Sequence, residues 1–283
     1  PGASAPLILE GTRLYVHRLH RAEVRLADAL RTLADAPPRN VTRPPETLFT
    51  DPVTLSQEQR QAVVMALERP LALITGGPET GKTSIVVALL RALAQQSDFE
   101  LERCALAAPT GKAAQRMGEA IRRALADLRH PSPEDQRLLT HLPEPSTLHR
   151  CLGWNPHLGR FAFGSTRPLE VDTLIVDEGS MVSLELMDRL LQALPRSARL
   201  VLLGDADQLP SVEAGCVFRD LVQARPTCVQ RLTESYRMRR SDAEGRHVLQ
   251  AAQAVHRGET SGPDLGPLRH SAADLRFEGV ERH

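Results

Sequence analysis

Apolar residues fall into successive patterns along the chain, and each pattern predicts a different kind of element. Residues 7–16, LILEGTRLYV, alternate apolar and polar side chains around Gly11, the period-2 signature of a β-hairpin. Leu19, Leu26, Leu30 and Leu33 then mark one face of a helix expected to end near Ala36. Pro37, Pro38, Pro44, Pro45 and Pro52 follow. Proline fixes φ and lacks an N–H, so 37–52 reads as a stiff linker, and as the boundary after an N-terminal segment over 1–36 that looks like the end of a preceding domain.

After the linker the pattern changes. Short apolar runs stand at 71–75 (LALIT), 104–108 (CALAA), 171–176 (VDTLIV) and 199–203 (RLVLL). They are continuous rather than alternating, as strands buried on both faces require. Helical patterns follow the first two, at 82–95 and 111–127, and another lies at 183–194. Strand and helix in alternation predict an α/β fold with a doubly wound parallel sheet, whose ligands gather at the carboxyl ends of the strands. Residues 130–168 break the rhythm with Pro131, Pro133, Pro143, Pro145 and the only tryptophan, Trp154, and read as an insertion. The main domain is expected over 53–240, with 241–283 the start of the next region. No internal repeat is visible.

Composition adds exclusions. Hydrophobic residues make up 41% of the 283, enough for a packed core. The 35 basic residues balance 35 acidic ones, which excludes a uniformly basic nucleic-acid surface but leaves room for a local basic groove. Cys104, Cys151, Cys216 and Cys228 show no CxxC spacing and fit a reduced cytoplasmic protein better than a zinc site or a disulfide framework. No apolar run reaches the ~18 residues of a membrane-spanning helix. The start, PGASAPLILE, has neither a signal-peptide core nor an initiator methionine, and reads as a cut within a longer protein. Only two of the basic residues are lysine, Lys82 and Lys112, and each follows a glycine.

Lys82 belongs to Gly76-Gly77-Pro78-Glu79-Thr80-Gly81-Lys82-Thr83-Ser84, the frame of a phosphate-binding loop. It follows an expected strand and opens an expected helix, the context the motif needs. Backbone N–H groups at such a helix start bind a β-phosphate. Lys82 is placed to reach the β- and γ-phosphates of ATP and Thr83 to bind Mg²⁺. Leu174-Ile175-Val176-Asp177-Glu178 is a strand ending in two acids. Asp177 suits the metal, and Glu178 suits the deprotonation of an attacking water. A kinase has no need of the second carboxylate, whereas a nucleotide hydrolase does. Gln59 admits two readings. Ser56-Gln57-Glu58-Gln59 fits a capping box, and a glutamine amide also suits the edge of adenine.

These residues come in a familiar order. Leu55-Ser56-x-x-Gln59-x-x-Ala62-Val63, GGPETGKT, Ala108-Pro109-Thr110-Gly111-Lys112-Ala113-Ala114, LIVDEGSMV, Leu203-Gly204-Asp205-x-x-Gln208-Leu209-Pro210 and Leu232-x-x-Ser235-Tyr236-Arg237 resemble the motifs of superfamily 1 helicases. Thr147-Leu148-His149-Arg150-x-Leu152-Gly153 and Ser211-Val212-x-x-Gly215 are similar to the RecD branch, the alpha subunits of exodeoxyribonuclease V. The resemblance covers nearly the whole chain. It implies a RecA-like P-loop NTPase domain, the first motor domain of a helicase that moves 5′→3′ on single-stranded DNA and unwinds the duplex in double-strand-break repair and recombination, with RecB-like and RecC-like partners. It also implies that Gln59 reads adenine, Gln208 senses the γ-phosphate, and Arg237 neutralises charge in the transition state. Thr110, Gly111 and Lys112 would then meet the DNA backbone. A second phosphate loop at Lys112 is excluded because position 106 is leucine.

The chain departs from that family in two residues. Glu79 stands where the family has glycine, at a position that tends towards positive φ, and Gly179 stands where alanine is usual. The family also clamps ATP between two motor domains, and residues 238–283 carry no motif of the second. A non-catalytic DNA-binding or assembly module with an impaired loop is therefore the competing reading. A stand-alone ATPase is a third, against which the Thr110–Lys112 loop and the Gln208 element count.

Overall fold

The computed structural model describes residues 6–208 and 215–233. A hairpin of β1 (Leu7–Glu10) and β2 (Arg13–Val16) leads into α1 (His17–Asp35). The main domain opens with α2 (Gln57–Glu68), β3 (Leu71–Gly76) and α3 (Lys82–Ala94). It continues through β4 (Cys104–Ala108) and α4 (Gly111–Ala126). The expected insertion comprises α5 (Pro133–His141), β5 (Ser146–Thr147), α6 (Leu148–Cys151), β6 (Trp154–Asn155) and β7 (Arg160–Phe161). Then come β8 (Thr173–Val176), α7 (Leu184–Ala193), β9 (Arg199–Gly204), α8 (Val217–Ala224) and β10 (Val229–Leu232).

Six strands make one sheet in the order β10-β3-β9-β8-β4-β5, and every neighbouring pair is parallel. Helices cover both faces, as a doubly wound sheet requires. The pleat divides each strand between them. Leu71, Leu73, Leu200 and Leu202 pack with α1, α7 and α8, whereas Ala72, Ile74, Val201 and Leu203 pack with α2, α3 and α4. The four apolar runs of the sequence are the four interior strands. The two edge strands were not foreseen: β5 is two residues of the insertion paired with Ala107 and Ala108, and β10 (VQRL) mixes polar and apolar residues. Edge strands need no continuous apolar run, so hydrophobicity alone does not mark them.

Local capping fixes where the helices begin. Ser56, Thr110, Ser132 and Ser183 each accept from the backbone N–H three residues on, which satisfies a donor that the helix itself leaves unpaired. At α3 there is no such side-chain cap, and Gly81 precedes it in the left-handed conformation. Helix α1 and the proline-rich stretch both lie against the main domain. Leu26, Leu30 and Leu33 of α1 enter the core shared with α7, beside an ion pair of Arg25 with Asp188 at 2.6 Å. Leu48 and Phe49 are buried among α2 and α3.

One buried side chain ties three of these parts together. Arg91, in the last turn of α3, binds Asp135 of α5 through Nε at 2.8 Å and Nη2 at 3.1 Å. Its Nη1 donates to the carbonyls of Leu48 and Asp51. The pair is 6% and 3% exposed. Asp135 also accepts from Ser132 N–H at the start of α5, and the Asp51 carboxylate accepts from the N–H groups of Arg129 and His130. Removing one member of a buried pair strands the other charge. Arg91→Leu should therefore cost about 3–5 kcal/mol of folding stability, and adding Asp135→Leu should recover part of that loss. Urea unfolding midpoints of the two variants check both statements.

Candidate functional site

Because the interior strands are parallel, their carboxyl ends share one edge of the sheet, and four loops converge there. The glycine-rich loop follows β3, the Thr110 turn follows β4, the acidic pair follows β8 and the turn to Gln208 follows β9. An open cleft of about 420 Å³ runs between them, lined by Thr83, Thr110, Lys112, Arg116, Asp177, Glu178 and Gln208, with others.

The glycine-rich loop is held in a regular shape. Thr80 Oγ1 donates to Gly77 O at 2.9 Å, and Lys82 Nζ donates to Gly76 O at 2.6 Å and Gly77 O at 3.0 Å. Gly81 has φ +79° and Glu79 has φ +63°. The first is free for glycine and the second costs an L-residue roughly 1–2 kcal/mol. Glu79 takes up the backbone conformation expected of that position, with its side chain exposed. Gly77 is half-buried and Pro78 exposed, whereas Thr80 is buried. With no side-chain cap on α3, the N–H groups of Lys82, Thr83 and Ser84 begin a 13-residue helix and point out of its positive end.

Gln59 lies beside this loop and is 2% exposed. Its Oε1 accepts from Ser56 N–H at 2.9 Å, completing the capping box, and its Nε2 donates to Thr80 O at 2.9 Å. Both ends of the amide are thus engaged within the protein.

Asp177 and Glu178 sit at the end of β8, within the electrostatic reach of Lys82. Burial pushes the Asp177 carboxyl above its ordinary value, against the pull of the Glu178 N–H and the Lys82 charge. Glu178 is raised too, first by burial and then by the charge of Asp177, with Lys82 and Arg116 opposing. Glu178 has φ +54°. The two non-glycine residues with positive φ among the described residues therefore both stand in this site, where such strain tends to collect. The neighbouring glycine is explained by space. A Cβ on Gly179 would lie 3.1 Å from Leu203 O and 3.3 Å from the Phe218 ring, and the residue begins a short 3₁₀ turn rather than an α-helix.

Gln208 is exposed, and its Oε1 accepts from Ser180 Oγ at 3.0 Å. Arg219 of α8 donates to the carbonyls of Ala206 and Gln208 at 2.9 Å each, and Thr75 Oγ1 accepts from Ala206 N–H at 3.0 Å. On the other side of the cleft Thr110 caps α4, Gly111 and Lys112 are exposed in its first turn, and Arg116 stands one turn further on. Arg237 lies outside the described residues. The sequence reading missed Arg116, Ser180 and Arg219. The spacing of Arg116 from Lys112, i to i+4 on one helix face, was there to be used, whereas Arg219 reaches the site by tertiary packing alone. Thr83 and Asp177, both in the cleft lining, are the side chains that could hold a metal ion there.

A family model described as an AAA domain matches residues 59–214. The RecBCD enzyme subunit RecD of Mycobacterium tuberculosis is 41% identical over 268 residues, covering 93% of this chain and 44% of that protein. The ATP-dependent RecD2 DNA helicase of Deinococcus radiodurans is 35% identical over 272 residues, covering 95% of this chain and 33% of that protein. The Pif1 helicase structure from Candida albicans, 21% identical, overlaps 71% of this chain and 44% of that one with a TM-score of 0.48, a loose likeness of fold. The chain spans less than half the length of these relatives.

The raised carboxyl of Glu178 has a measurable consequence. A carboxyl with its folded value raised is destabilising when ionised, so Glu178→Gln should raise the melting temperature at neutral pH. The difference should fade as pH falls through the folded value and be gone below the ordinary ~4.3, where the carboxyl is protonated in both the folded and the unfolded chain. Thermal melts across that pH range test it.

Proposed function

The chain belongs to the AAA domain family, with RecD proteins as its relatives, and on that premise we propose that it is the ATP-hydrolysing first motor domain of a RecD-like DNA helicase. The observation that carries the proposal is the shared cleft, with Thr83, Asp177 and Glu178 on one side and Thr110, Lys112 and Arg116 on the other. An ATPase without DNA has no use for the second set.

In this reading the N–H groups at the start of α3 hold the β-phosphate, and Lys82 leaves the loop carbonyls for the phosphate oxygens. Thr83 and Asp177 would hold Mg²⁺, which would supply charge neutralisation for the phosphates. Glu178 takes a proton from water as its oxygen attacks the γ-phosphorus and the bond to ADP breaks. A raised carboxyl is the better base for that step near neutral pH. Gln208, fastened to the acidic loop through Ser180, carries the state of the γ-phosphate towards the DNA side. Arg237 supplies the transition-state cation. Lys112, with the N–H groups at the start of α4, meets single-stranded DNA through its phosphates. Movement 5′→3′, unwinding, a role in break repair, and RecB-like and RecC-like partners are activities of the longer protein in this proposal. The boundaries at 36, 52 and 240 remain part of it.

The competing reading is a loop impaired by Glu79, whose left-handed φ carries strain although the loop keeps its shape. The two readings separate by titration of ATP·Mg²⁺ into the chain and its Glu79→Gly variant. Where the free loop relaxes out of its binding shape, relief of about 1–2 kcal/mol of strain should tighten binding up to about five- to thirty-fold, and most of the gain should persist at high salt, where a charge effect would fade. Binding by the variant alone would favour the non-catalytic reading. On the DNA side, Lys112→Ala should weaken single-stranded DNA binding alike for all sequences and reduce the salt slope by about one. An unchanged slope would remove Lys112 from the DNA contact.

A further inference from the structure

The phosphate loop keeps its shape with a glutamate in the left-handed conformation, so something must oppose the relaxation of that residue. Three of the bonds that hold the loop, one from Thr80 Oγ1 and two from Lys82 Nζ, come from the loop itself and from the first residue of α3. Lys82 is the group that phosphate would draw away. The bond from Gln59 Nε2 to Thr80 O is different. It comes from another helix, it is buried, and its acceptor belongs to the residue directly after Glu79. Its direction is also enforced. Gln59 Oε1 accepts from Ser56 N–H, so turning the amide over would set a donor against that N–H and an oxygen against Thr80 O.

We propose that Gln59 is a positioning residue of the phosphate loop. Its amide anchors the Thr80 carbonyl to α2, which keeps Glu79 in its strained conformation and the N–H groups at the start of α3 aimed at a single anion-binding point. The proposal rests on the nucleotide site described above and adds to it an effect that is indifferent to the base. Gln59 acts on triphosphate binding through the backbone, and its action matters more because position 79 is not glycine.

Gln59→Glu separates the anchor from the helix cap. Glutamate at this position keeps an acceptor for Ser56 N–H, since a capping box takes either residue, but it turns an oxygen instead of a donor towards Thr80 O. ATP, GTP and inorganic tripolyphosphate, each with Mg²⁺, are titrated calorimetrically into the chain and the variant. Losing one buried hydrogen bond should weaken all three by about the same factor, three- to ten-fold. Gln59→Met, which removes the donor without adding a charge, should give the same pattern. In a Glu79→Gly background the loss should shrink to half or less, because a glycine needs no anchor to stay left-handed. A loss confined to ATP would make Gln59 a reader of adenine and overturn the proposal. So would unchanged affinities, or an equal loss in both backgrounds. If the unsubstituted chain binds none of the three ligands, the nucleotide site itself fails, and the anchor with it.

Discussion

The arrangement of this site depends on the parallel pairing of β3, β9, β8 and β4. An antiparallel strand among them would send its following loop to the opposite edge of the sheet. With all four parallel, the glycine-rich loop, the acidic pair, the Gln208 turn and the basic turn at Lys112 arrive at one edge although they are far apart in the chain. The pairing sets the edge, and side chains then set the spacing. Thr75 fixes the turn after β9 to the end of β3, and Ser180 fixes Gln208 to the acidic loop. These two hydroxyls join the three elements on which hydrolysis is proposed to depend.

The site also concentrates strain that neighbouring atoms must sustain. Glu79 and Glu178 occupy the left-handed region, each next to groups that leave it little freedom. Thr80 is anchored from α2. Glu178 is followed by Gly179, packed against Leu203 O and Phe218, and its N–H donates to Asp177 Oδ1 at 2.9 Å. Backbone held in this way resists relaxation when charged ligands come and go, which is how a loop stays preorganised for an anion.

Most of the architecture was legible from the chain. Interior strands declare themselves because both of their faces are buried, so LALIT and RLVLL could not be mistaken for exposed structure. The site residues were legible where chemistry fixes residue type and spacing together, as in GKT and DE. Edge strands escaped because their hydrophobic demand is weak. Gln59 escaped in part for another reason. A capping box predicts what its Oε1 does, but nothing in the local sequence says that its Nε2 meets a carbonyl 21 residues away. Arg219, whose partners lie in the turn after β9, belongs to the same class. Residues that act by holding another element's backbone leave no periodic or motif signature, because the geometry that recruits them exists only after folding.

The buried pair of Arg91 with Asp135 gives α3 a mechanical character. A helix rises about 1.5 Å per residue, so Lys82 and Arg91 stand at opposite ends of a rigid strut roughly 14 Å long. One end carries Lys82 of the glycine-rich loop, and the other is clamped between the proline-rich segment and α5 of the insertion. A strut fixed at its far end transmits displacement instead of absorbing it. The placement of α5 and that of the glycine-rich loop are thus set by the two ends of one helix.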